Sequence, residues 1–125
     1  MLFRSVHIPI FADEACLHPA DIPRIASSFD GVNIKLMKCG GIWEAFRMIQ
    51  IARAHGLKVM LGCMIESSVA ITAAAHLSPL ADYADLDGNI LITNDPFDGV
   101  RISGGKLVLN DCPGLGVTPK PIRTE

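Results

Sequence analysis

The 125-residue chain has no basic excess: Lys and Arg number 11 against 13 Asp and Glu, a formal charge of −2. A chain that neutralises phosphate backbones carries a positive field, so no nucleic-acid partner is expected. Long apolar runs are missing too. Stretches such as "VAITAAAHL" at 69–77 break off well short of the ~20 residues a spanning helix needs, so no membrane partner is expected either. No secretory signal opens the chain, and the expected location is cytoplasmic. The four cysteines, Cys16, Cys39, Cys63 and Cys112, contain no C-x-x-C pair, and their spacing fits neither a zinc site nor a disulfide scaffold. They read as reduced thiols. Because Cys16, Cys39 and Cys63 each follow a predicted strand, a soft-metal or reactive thiol cluster stands as the alternative. His7, His18, His55 and His76 do not cluster in sequence and read as structural or exposed, and Trp43 is assigned to helix packing. "SGGK" at 103–106 is too short for a phosphate loop and reads as a hairpin turn.

What is present is a core and a rhythm. Half of the residues are hydrophobic, at a length that suits one domain with a real core. The first two-thirds alternate strand, loop and helix. Residues 7–14 read as a strand ending in two acids, 19–29 as a helix, and 32–37 ("VNIKLM") as the next strand. "GIWEAFRMIQIARAHG" gives an amphipathic helix with Ile42, Ala45, Phe46, Ile49 and Ala52 on one face and Gly56 at its C-terminal cap. "KVMLG" is a third strand, about 67–77 a third helix, and "DYADLD" a strand ending near Asp87. Beyond it "RISGGKLVL" predicts a hairpin turning at Gly104 and Gly105, followed by a tail. Strands alternating with helices imply a parallel sheet, here four strands with three helices between them.

In a (β/α)8 barrel the chemistry sits where strands end, so the residues at those ends are the informative ones. The first predicted strand ends in Asp13 and Glu14, the second carries Lys35, the third leads into Glu66, and the fourth ends with Asp85 and Asp87. Strand alternation turns Val32, Ile34 and Leu36 to the helices and leaves Asn33 and Lys35 facing the barrel axis. A lysine amine held among cations or apolar walls can take a proton from carbon next to a carboxylate; the same lysine could instead pair structurally with Asp13 or Glu14. Only one of the adjacent Asp13 and Glu14 can face the axis, as a hard ligand for Mg²⁺ with the other supporting it, or both are solvated loop acids. Asp85 and Asp87 face the same way, suiting a substrate ammonium, or they belong to a hydrogen-bonded turn.

The segments "FADEA", "VNIKLMKCGGI", "GLKVMLGCMIESSVAITAAAHL" and "ADLDG" resemble the C-terminal half of enolase-superfamily barrels, and among these the dipeptide epimerases of the L-Ala-D/L-Glu epimerase type. The resemblance runs from about residue 8 to 117. It implies an α/β fold, the C-terminal half of a (β/α)8 barrel (strands five to eight), with residues 6–100 as the partial barrel and 101–125 as hairpin and tail. It implies a Mg²⁺-dependent isomerase that inverts the α-carbon of a dipeptide's C-terminal residue by 1,1-proton transfer through a metal-stabilised enediolate. Asp13 then maps to a metal ligand with Glu14 supporting it, Lys35 to one of two acid/base lysines, and Asp85 and Asp87 to the ligands of the dipeptide's α-ammonium. Glu66 would sit near the reacting carboxylate, and Lys38, on the following loop, is the weaker lysine.

The same resemblance leaves the second acid/base lysine, two further metal ligands and a capping domain upstream of Met1, so the lone chain is expected to be inactive. "MLFRS" does not match the family and reads as a non-native leader (1–5) on a truncated gene. Half a barrel exposes two sheet edges, which predicts self-association. Two other readings remain: another enzyme of the muconate-lactonising branch, such as an o-succinylbenzoate synthase or muconate cycloisomerase, and a non-catalytic half-barrel that assembles with a partner.

Overall fold

A computed structural model describes residues 7–121. Its centre is a four-stranded parallel sheet in the order β1 (Phe11–Ala12), β2 (Gly31–Lys35), β3 (Lys58–Gly62), β4 (Tyr83–Ala84). Sequential order with every neighbour parallel is the expected pattern of successive β/α units. The register places Phe11 beside Gly31, Lys35 beside Gly62, and Leu61 beside Ala84. Among the described residues β1 and β4 are each paired on one side only, so the sheet is open.

Alternation sets the faces. Val32, Ile34, Val59 and Leu61 are at most 1% exposed beneath the helices, each such burial contributing about 1.5–3 kcal/mol. The covering helices are α1 (Ile22–Ile25), α2 (Leu36–Cys39), α3 (Ile42–Ala54) and α4 (Ser68–Ala75). The principal one, α3, packs on β2 and β3 and buries Ala45, Met48, Ile49 and Ala52. Ile42 departs from the expected stripe at 41% exposed, and Met48 joins it. Trp43, expected to pack, is 69% exposed and stacks on Phe46 with ring centroids 6.0 Å apart. It lies one position from the buried line, where a helix turns its side chains to water.

Several boundaries shift from the sequence reading. The first strand keeps only Phe11–Ala12 of the predicted eight residues in the ladder. The helix predicted over 19–29 is a 3₁₀ turn, Pro19–Asp21, running into α1, which stops at Ile25. The second strand ends at Lys35 because α2 begins at the next residue. Downstream, a 3₁₀ turn at Gly88–Leu91 follows β4. The hairpin forms as expected from β6 (Arg101–Ser103) and β7 (Lys106–Val108) about Gly104 and Gly105. The chain then returns so that β8 (Thr118–Pro119) pairs antiparallel with β5 (Phe97–Asp98). The expected leader, residues 1–5, lies outside the described residues. No helix among the described residues is long and apolar enough to cross a membrane.

Candidate active site

The C-terminal ends of β1 and β2 bring together the acids and lysines that the sequence spaces 22 and more residues apart. Lys35, the last residue of β2, faces away from the helices, and its Nζ donates to Asp13 Oδ2 at 2.8 Å. Asn33, two residues earlier on the same face, donates from Nδ2 to the same oxygen at 3.3 Å. Lys38 Nζ donates to Asp13 Oδ1 at 2.8 Å and also reaches Glu14 Oε1. The sequence predicts Lys38 on the loop after the strand. The structure places it in α2, where one helical turn after Lys35 swings it back over the strand end. Gly40 and Gly41, at φ +100° and +115°, let the chain leave that short helix and start α3 at once.

Electrostatics follow from this geometry. Burial works to raise the Asp13 carboxyl, but the hydrogen bonds and charges of Lys35 and Lys38 outweigh it and hold the group below its ordinary value. Lys38 is pushed up by its bonds to Asp13 and Glu14. The ammonium-bearing side chains are 15% and 16% exposed, against 35% for Asp13 and 78% for Glu14. As expected, only one of the adjacent acids turns inward; it is Asp13.

Asp85 and Asp87 lie at the end of β4. Asp85 N donates to Leu61 O at 2.9 Å, which carries the β3 pairing one residue past the strand. Leu86 between them is buried while both aspartates are exposed. With Cys63, Met64, Ile65, Gly88 and Leu91 they line a cavity of about 260 Å³. The Asp87–Gly88 turn is packed hard on the exit of β3, since a Cβ on Gly88 would strike the Met64 carbonyl and Cys63 Sγ. Glu66 turns back on its own loop: Oε1 accepts from Met64 N at 2.9 Å, and Oε2 is buried without a partner. Among the described residues the thiols join no group of three or more side chains able to hold a metal ion. Cys16 and Cys39 are buried, Cys63 is half-buried and Cys112 is exposed.

Among the described residues no three His, Cys, Asp or Glu side chains are grouped to hold a metal ion. In the strand-end cluster Asp13 is the less exposed of the two adjacent carboxylates, 35% against 78% for Glu14. Among the described residues Asp13 Oδ1 accepts one side-chain hydrogen bond, from Lys38, which leaves a lone pair able to meet a Mg²⁺ ion. Asp13 therefore fits one ligand position of a Mg²⁺ ion.

A parallel sheet of successive β/α units with lysines and carboxylates gathered at its strand ends is the arrangement of the active-site face of a (β/α)8 barrel. The family model "Enolase C-terminal domain-like" matches residues 1–123, and the chain belongs to that family. It is 53% identical over 110 residues to the L-Ala-D/L-Glu epimerase of Bacteroides thetaiotaomicron, covering 88% of this chain and 29% of that protein. The substrate-liganded L-Ala-D/L-Glu epimerase of Bacillus subtilis superposes with a TM-score of 0.87 at 34% identity, over 95% of this chain and 35% of its own. A dipeptide epimerase from Methylococcus capsulatus, complexed with Mg and the dipeptide L-Arg-D-Lys, gives a TM-score of 0.80 at 40% identity, over 86% of this chain and 32% of its own. The chain thus spans about a third of the length of these relatives. At these identities the α/β fold, the C-terminal half of a (β/α)8 barrel, is that of its relatives.

Proposed function

We propose that this chain is the C-terminal part of a dipeptide epimerase of the L-Ala-D/L-Glu type, an isomerase that inverts the α-carbon of the C-terminal residue. The observation that carries the reading is Lys35 Nζ held 2.8 Å from the Asp13 carboxylate at the strand ends, with Asp85 and Asp87 lining a cavity at the end of β4. Naming of the relatives as epimerases acting on dipeptides supports the same reaction class.

In this reading Lys35 removes or returns the α-proton on its face of the substrate, so that the reaction passes through an enediolate. Asp85 and Asp87 accept hydrogen bonds from the dipeptide's ammonium, which fixes which end of the substrate faces Lys35. Lys38 and Asn33 hold the Asp13 carboxylate in one orientation, and Glu14 anchors Lys38 from the solvent side. When bound, Mg²⁺ would supply positive charge to the substrate carboxylate, with Asp13 as one of its ligands. Glu66 borders the loop that leads to the ammonium site. An o-succinylbenzoate synthase or a muconate cycloisomerase fits less well, because neither substrate has an ammonium for Asp85 and Asp87.

The test is epimerisation of L-Ala-L-Glu and a small dipeptide panel with Mg²⁺. It is run on the chain alone and on a chimera in which this chain replaces the matching third of the Bacteroides thetaiotaomicron relative. Turnover in the chimera, lost in Lys35→Ala and Asp85→Ala, is expected; the chain alone is expected to be inactive. A chimera that exchanges other α-protons and ignores dipeptides would overturn the dipeptide reading and leave the superfamily.

A further inference from the structure

A hydrogen-bond relay runs from Asp95 through Ser68 to the turn that follows Asp87. Asp95 Oδ2 accepts from both the backbone N–H of Ser68, at 2.8 Å, and its hydroxyl, at 2.5 Å. Ser68 opens α4 and is 5% exposed. Its Oγ, having given its proton to Asp95, accepts in turn from Asn89 Nδ2 at 3.1 Å. Asn89 belongs to the 3₁₀ turn Gly88–Leu91, whose N-terminal cap is Asp87.

Direction is the point of this arrangement. An acceptor-only group at Asp95 forces the Ser68 O–H toward itself, and only then are the Ser68 lone pairs left for the Asn89 amide. A donor in that place would reverse the hydroxyl and set it against Asn89. Burial pushes the Asp95 carboxyl up, but the hydrogen bonds from Ser68 and Phe97 and the charge of Lys120 together outweigh it and keep the group below its ordinary value, hence an acceptor. A carboxylate also suits the N-terminus of α4. The same helix is held a second time: Val100 N donates to Thr72 Oγ1 at 2.8 Å, and Thr72 Oγ1 to Ser68 O at 2.5 Å. Asn89 Oδ1 is buried without a partner, so losing the Nδ2 bond to Ser68 would add a second unsatisfied polar atom to the same amide.

We propose that Asp95 is a positioning residue, which acts through Ser68 and Asn89 to fix the turn that presents Asp87 to a substrate ammonium. The proposal rests on the dipeptide reading for the identity of that ligand. Asp95 does not itself line the cavity that holds Asp85 and Asp87.

Amide hydrogen exchange on the full chain tests the relay without any substrate. Asp95→Ala and Asn89→Ala are expected to speed exchange across residues 88–91 by about tenfold, leaving β3 unchanged. Asp95→Asn, which can turn its carbonyl to Ser68 but then sets its amide against the Phe97 N–H that Asp95 Oδ1 accepts at 3.2 Å, recovers only part of the parent rate. Asn89→Ala cuts the relay while sparing the α4 cap, so it decides the matter even where Asp95→Ala fails to fold. In the chimera, Asn89→Ala and Asp95→Ala are expected to raise KM for L-Ala-L-Glu roughly tenfold with kcat little changed. Unchanged exchange across 88–91 in Asn89→Ala overturns the proposal, as does faster exchange with KM unmoved. Faster exchange in a protein whose parent chimera turns over no dipeptide upholds the relay and overturns the ammonium reading instead.

Discussion

Replacing Asp13 with Asn keeps the side chain's shape and removes the charge that two lysines share. In the parent, Asp13 accepts from Lys35 and Lys38 at 2.8 Å each and from Asn33 at 3.3 Å. The variant leaves two ammonium groups, 15% and 16% exposed, against an amide that can accept on one atom only. Hydrogen bonds to charged groups contribute about 1.5–3 kcal/mol each, and exposed ion pairs about 0–1, so this half-open cluster should lose about 2 kcal/mol. Urea unfolding followed by circular dichroism, in metal-free buffer at pH 7, reads that loss as a midpoint shift of roughly 1 M. The pH dependence has a definite sign. Asp13 lies below its ordinary 3.8, so its contribution is present above that value and fades as pH falls through the lower, folded one. Lys38 lies above its ordinary 10.5, so its contribution is full below that value and fades as pH rises through the higher, folded one. The gap between parent and variant is therefore widest between the two and closes at both ends. A gap below about 0.5 kcal/mol at pH 7, within the range of ordinary surface substitutions, or one as large at pH 2 as at pH 7, would refute the reasoning.

Three further outcomes follow from the packing. Ile34→Ala opens a cavity at a position 1% exposed in the middle of β2, and should cost about 2–5 kcal/mol in the same urea assay. Gly31→Ala puts a Cβ against the Phe11 ring and the Lys58 carbonyl, a clash that should cost about 1–3 kcal/mol. Since the carbonyl cannot yield, adding Phe11→Ala should recover no more than part of that loss. Burial, aided by the charge of Asp21, pushes the Cys16 thiol up to about 11, and burial pushes Cys39 up as well, while Cys112 is exposed. Iodoacetamide at pH 8 should therefore label Cys112 first by mass spectrometry; Cys16 labelled as fast as Cys112 would contradict the packing.

Much of the site can be read from the sequence because a strand's period of two is a strong signal. "VNIK" places Asn33 and Lys35 on one face and Val32 and Ile34 on the other, and the structure agrees. Lys38 was misplaced because a helix of one turn, Leu36–Cys39, is too short to show any periodicity and begins in a stretch that reads as strand. The Asp95 relay was invisible for a related reason. Its carboxylate reaches Ser68 across 27 residues of chain, and no local pattern marks such a partner. The hairpin at Gly104–Gly105 was legible because adjacent glycines between apolar runs are a local turn signal. The exposure of Trp43 was not, since a single position's place on a helix face depends on where the neighbouring strands lie.

In the proposed epimerase, Lys35 handles the substrate's α-proton. The direct measurement is α-proton exchange of L-Ala-L-Glu and L-Ala-D-Glu in D₂O, followed by NMR, in the chimera with Lys35 intact and with Lys35→Ala. A lost general acid or base should slow exchange by about 10²–10⁴-fold in at least one of the two diastereomers. Asp85→Ala, by contrast, should act mainly by raising KM. Exchange that survives undiminished in Lys35→Ala with both diastereomers would contradict the account.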